Sequence, residues 1–160
     1  MRVITNRLKK SILILFVSTL GALQIKAQCS LANPAGTLTP SSGTAFVTSS
    51  GFSPGTYFTL PVINGLSYAV STCGNAIDTQ LSGWTSNGVT SLFYNDDNGP
   101  LCSGTNASFD NFVPNFTGLV GVQVSEFNCL PGGSASINVH LRQNNNLSIT
   151  SSGAAMCSGQ

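Results

Sequence analysis

The stretch Tyr57-Phe58-Thr59-Leu60-Pro61-Val62-Ile63-Asn64-Gly65-Leu66-Ser67-Tyr68-Ala69-Val70-Ser71 decides the fold class. Phe58, Leu60 and Val62 alternate with Tyr57, Thr59 and Pro61, and Tyr68 and Val70 alternate with Ser67, Ala69 and Ser71. A period of two sends successive side chains to opposite faces, which is the signature of a strand. Asn64-Gly65 between the runs is turn chemistry, because both residues accept a positive φ.

The same pattern recurs further along the chain. Val120, Val122 and Val124 alternate with Gly121, Gln123 and Ser125, and Ile137, Val139 and Leu141 alternate with Asn138, His140 and Arg142. Weaker runs lie at 44–48, 79–84, 89–94 and 107–113. Ser53-Pro54-Gly55, Ser86-Asn87-Gly88, Asn98-Gly99-Pro100 and Pro131-Gly132-Gly133 separate them. No convincing helical period follows residue 28. About eight strands at this spacing predict an all-β, jelly-roll-like β-sandwich over 29–142.

Residues 1–28 read as a signal peptide. Arg2, Arg7, Lys9 and Lys10 form a basic start, and the apolar stretch Ser11 to Leu23 is about 13 residues long, short of the ~20 that span a bilayer. Cleavage is expected after Ala27 or Gln28, leaving a secreted or cell-surface chain with no membrane span. Residues 143–160 read as a linker and the truncated start of a following domain, ending in Cys157-Ser158-Gly159-Gln160.

Once the leader is set aside, Arg142 is the only basic residue. Five acids (Asp78, Asp96, Asp97, Asp110, Glu126) leave the remainder at a net charge of −4, one cation against five anions. That balance argues against a nucleic-acid partner, which needs Lys or Arg at the phosphates. With no lysine, a P-loop and a Schiff-base lysine are excluded, as is a polybasic membrane patch. Edge strands without lysine also lack the usual guard against edge pairing, so reduction is expected to promote aggregation.

Cys29, Cys73, Cys102, Cys129 and Cys157 all lie in the exported part, where such cysteines usually form disulfides. No C-x-x-C pair exists and the single histidine is distant, so zinc is not expected. Five is odd, and one thiol has no partner within the chain.

The strongest chemical cluster is Tyr94-Asn95-Asp96-Asp97-Asn98-Gly99 together with Asp78. Carboxylates and amides in loops suit calcium, which takes oxygen ligands, so Asp78, Asp96 and Asp97 are candidate Ca2+ ligands. Trp84 and Tyr94, with Tyr57 and Phe93 nearby in the pattern, are candidates for stacking on a glycan ring. His140 shares a strand face with Asn138 and Arg142 and is expected to face solvent. Nothing near it in sequence supplies a nucleophile and an acid, as a triad requires. A hydrolase would have to pair Asp78 with Asp96 or Asp97 across a pocket, and the chain reads as a non-enzyme.

Several of these residues follow in an order that resembles a known family. They are Gly55-Thr56-Tyr57, Val62 to Cys73, Ile77-Asp78-Thr79-Gln80-Leu81, Tyr94-Asn95-Asp96-Asp97 and Cys102. The chain over 29–142 is similar to β-sandwich domains of secreted Bacteroidota proteins, in the manner of the bacterial pre-peptidase C-terminal domain family. Its closing strand, Gly118 to Val124, lacks the tyrosine usual there. The resemblance implies a non-catalytic accessory module (spacer, adhesion or binding) of a larger secreted or cell-surface protein. Its partners would be other domains of the same polypeptide, with a surface glycan or protein as ligand. The resemblance also implies disulfides Cys73–Cys102 and Cys29–Cys129, and reads the tail as the opening of an immunoglobulin-like repeat. The alternative is a carbohydrate-binding module of a secreted hydrolase.

Overall fold

The computed structural model describes residues 28–130 and 133–144. All but the last residue of the expected signal peptide, the turn residues 131 and 132, and residues 145–160 with Cys157 lie outside the described residues.

Among the described residues ten strands form, two more than expected: β1 (Pro34–Thr37), β2 (Ser41–Ser42), β3 (Val47–Phe52), β4 (Thr56–Val62), β5 (Ser67–Ser71), β6 (Thr79–Thr85), β7 (Ser91–Asn95), β8 (Ser108–Phe112), β9 (Gly118–Glu126) and β10 (Ile137–Asn144). A 3-10 turn spans Phe127–Cys129. The first sheet has the order β1-β4-β9-β6-β7. The second runs β2-β10-β5-β8, with β3 also paired to β10. Two five-stranded sheets face to face make an all-β sandwich. Among the described residues, no helix is long and apolar enough to cross a membrane.

The alternating runs become its interior. Phe58, Leu60 and Val62 of β4, Val120, Val122 and Val124 of β9, and Ile137, Val139 and Leu141 of β10 are all buried. In the antiparallel pair β4–β9, Phe58 lies opposite Val122 and Leu60 opposite Val120, so core side chains meet directly across strands. The Asn64-Gly65 turn closes no hairpin here. It carries the chain from β4 in the first sheet to β5 in the second, and the Gly65 N–H donates to the Pro114 carbonyl (3.0 Å).

One glycine is required by packing. Gly83 of β6 lies opposite Phe93 of β7, whose ring occupies the space that a Cβ at 83 would need. Phe93 then stacks on Phe109 (centroids 4.7 Å apart) and meets Phe112 edge-on at 5.2 Å. An aromatic laid over a glycine on the neighbouring strand fills the gap and joins the sheets through β8.

The first sheet is covered on its outer face as well. Gln80, Ser82, Gln123 and Ser125 alternate with core residues, which would normally send them to solvent, yet all four are buried. Residues 28–33 lie over them. The Cys29 N–H donates to Ser82 Oγ (3.0 Å) and the Ala32 N–H to Gln123 Oε1 (2.8 Å). Leu31 packs where Gly121 has no side chain. The Cys29–Cys129 disulfide pins this segment, joining residues 100 apart.

Candidate metal centre

At one end of the sandwich two loops meet, one between β5 and β6 (72–78) and one between β7 and β8 (96–107). Polar sequence makes them fit each other. Thr72 N–H donates to the Ala107 carbonyl (2.9 Å) and Thr79 N–H to the Thr105 carbonyl (2.9 Å). Asn106 accepts from the Gly74 N–H (3.0 Å) and donates to the Ile77 carbonyl (2.9 Å). Asn95 Oδ1 accepts from the Ser108 N–H (2.9 Å). The Cys73–Cys102 disulfide ties the same two loops covalently, and both pairings implied by the resemblance are present.

This frame brings Asp78, Asp96 and Asp97 together. Each offers a carboxylate oxygen, and the three oxygens lie within 4.8 Å of one another. Asp97 is exposed, while Asp78 and Asp96 are half-buried. Asp78 Oδ1 and Asp96 Oδ1 are buried from water and have no hydrogen-bond partner. Buried acceptors without donors are costly, and a hard cation is one group that could satisfy them.

Electrostatics follow from that placement. Burial, then the Asp97 and Asp96 charges, push the Asp78 carboxyl above its ordinary value of 3.8. Tyr94 sits beside the cluster. Burial, then the neighbouring Asp96 carboxylate, push its phenol up to about 12, so it stays protonated at neutral pH. A carboxyl raised in the folded state contributes stability below its unfolded value, and that contribution is lost as pH rises through the folded value. In a chelating buffer, Asp78→Asn should therefore match the parent's melting temperature below pH 3.8 and exceed it increasingly towards neutral pH. Melting curves of both proteins across that range check the sign.

The glycan candidates are placed differently. Tyr94 lies opposite Ser82, and Trp84 lies two residues further along the same outer face. That face is the one covered by residues 28–33. Trp84 is half-buried and its Nε1–H donates to the Cys29 carbonyl (2.7 Å), while the Tyr94 hydroxyl accepts from Gln80 Nε2 (3.2 Å). His140 differs from the expectation of a solvent-facing ring. It is half-buried, with Nε2 donating to the Cys73 carbonyl (3.1 Å) and Nδ1 paired with the Thr48 hydroxyl (2.8 Å). Its neighbour Arg142 bridges to Asp110 (3.2 Å) and lies 4.6 Å from the Phe46 ring centroid. Strand β3 covers this side of β10, and alternation along β10 alone carries no sign of that.

No family model matches the chain, and neither does any curated protein. One solved structure is similar: the 1.0 Å crystal structure of the pre-peptidase C-terminal domain of a collagenase from Bacillus anthracis. The identity is 15%, the TM-score 0.37, and the match covers 72% of this chain and 97% of that one. The β-sandwich assignment rests on the two sheets themselves.

Proposed function

We propose that the chain is a non-catalytic accessory module of a larger secreted or cell-surface protein, a spacer or binding sandwich whose loop end is rigidified by calcium. The observation that carries this reading is the convergence of Asp78, Asp96 and Asp97 with two buried, unpartnered oxygens. An all-oxygen, triply anionic set fits calcium better than zinc, which prefers nitrogen and sulfur. Two disulfides suit an oxidising compartment. The spacer role is favoured over glycan stacking because the Trp84 indole N–H is spent inside the fold. A non-catalytic role is favoured because both His140 nitrogens are held by Thr48 and Cys73.

Thermal unfolding with excess calcium and then with a chelator tests this. A ligand that binds only the native state at a hundredfold excess over Kd adds about 2.7 kcal/mol, which is on the order of ten degrees for a domain this small. Asp96→Asn should cut the shift to about half or less, and magnesium should give a much smaller one. Equal melting temperatures in calcium and chelator would return the three acids to ordinary loop chemistry.

A further inference from the structure

The chain contains three Asn-Gly pairs, Asn64-Gly65, Asn87-Gly88 and Asn98-Gly99. As dipeptides they share one chemical weakness: the glycine nitrogen, unhindered by a side chain, can attack the asparagine amide carbon. The fold treats them unequally. The Gly65 N–H donates to the Pro114 carbonyl (3.0 Å) and the Gly88 N–H to the Thr85 carbonyl (2.8 Å), so both nitrogens are held away from that attack. Asn87 Oδ1 is held as well, accepting from Thr85 Oγ1 (2.6 Å) and the Val89 N–H (3.1 Å). The Gly99 N–H makes no hydrogen bond among the described residues. Asn98 is exposed and its side-chain oxygen accepts one bond, from the Gly104 N–H (3.2 Å).

The fold also keeps this pair from being replaced. Asn98 stands at φ 48°, a left-handed conformation that asparagine tolerates better than most residues. Gly99 is buried, and a Cβ there would collide with the Ser108 backbone nitrogen and hydroxyl. Both halves of the labile dipeptide are therefore demanded by the loop that carries Asp96 and Asp97.

We propose that Asn98 is a deamidation site selected by the fold, and that its conversion adds a further carboxylate beside the acidic cluster. The Gly99 nitrogen bonds to Asn98 Cγ and loses its proton, and ammonia leaves, closing a succinimide. Water then opens the ring at either carbonyl to give aspartate or isoaspartate, each with one more negative charge. Isoaspartate also lengthens the backbone by one carbon and breaks the clamp formed by the Asn98 N–H on the Gly104 carbonyl (2.9 Å).

The test is to age the oxidised chain at neutral pH and body temperature, follow it by anion exchange, and map the site by mass after chymotrypsin. Trypsin is of no use with Arg142 as the only basic residue after the leader. An acidic form should accumulate in the parent, in Asn64→Gln and in Asn87→Gln alike. Asn98→Gln should form it about tenfold more slowly, equivalent to about 1.4 kcal/mol in the barrier. Reduced and unfolded in urea, the three sites should react at similar rates. Modification appearing first at 64 or 87, an unchanged rate in Asn98→Gln, or the same Asn98 preference in the unfolded chain would each overturn the proposal.

Discussion

Replacing Cys29 and Cys129 together by alanine is expected to remove about 4 to 5 kcal/mol of stability. The disulfide closes a loop of 100 residues, and in the chain-entropy view such a link restricts the unfolded state by about that amount. The shorter Cys73–Cys102 link, spanning 29 residues, should give about 3.5 kcal/mol by the same relation. The longer link also holds a cover in place. With it gone, residues 28–33 lose their anchor, and Gln80, Ser82 and Gln123 lose the groups that satisfy them. Those groups include the Cys29 and Cys129 N–H donors to Ser82 (3.0 Å) and Gln80 (3.1 Å). Against a total stability of roughly 5–15 kcal/mol, the variant should be marginal and aggregation-prone. Equilibrium urea unfolding checks this: the midpoint should fall sharply for Cys29→Ala/Cys129→Ala and less for Cys73→Ala/Cys102→Ala. A loss below about 1 kcal/mol for the first pair would mean that the segment is held without its covalent pin.

The second large effect is expected at the glycine under an aromatic ring. Gly83→Val should cost about 3 kcal/mol, because its side chain must displace the buried Phe93 ring from its contacts with Phe109 and Phe112. Phe93→Ala alone should cost about 3 to 5 kcal/mol through the cavity it leaves. The double variant removes the clash and part of the cavity at once. Its cost should fall short of the sum of the two by about 1 kcal/mol or more, read as a coupling energy in a double-mutant cycle. Simple additivity would show that Phe93 does not rest on residue 83.

The strands legible in the sequence are those with a strong contrast between their faces. Runs at Phe58–Leu60–Val62, Val120–Val122–Val124 and Ile137–Val139–Leu141 appear as β4, β9 and β10, with a boundary error at the end of β10, which runs to Asn144. Strands β1 and β2 were not legible, since Pro34–Thr37 is wholly exposed and Ser41–Ser42 is a two-residue pairing on β10. Strand β3 lies at Val47–Phe52 rather than 44–48, because only Phe52 at its far end is buried. The burial of Gln80, Ser82, Gln123 and Ser125 was also hidden: period two gives them a face, and only the tertiary fold covers it. At the site, proximity of Asp96 to Asp97 is written in the chain, whereas Asp78 is brought there by the two loops that Cys73–Cys102 joins. The effect of Asp96 on the Tyr94 phenol was also not read, although the two residues are only two apart in sequence.

The most direct test of the central claim is a calorimetric calcium titration of the oxidised, chelator-stripped chain alongside its Asp96→Asn and Asp78→Asn variants. The account predicts one bound ion per parent chain, heat that saturates, and binding weakened at least tenfold in each variant, equivalent to about 1.4 kcal/mol apiece. Absence of saturable heat in the parent, or equal binding by all three proteins, would contradict a calcium centre at Asp78, Asp96 and Asp97.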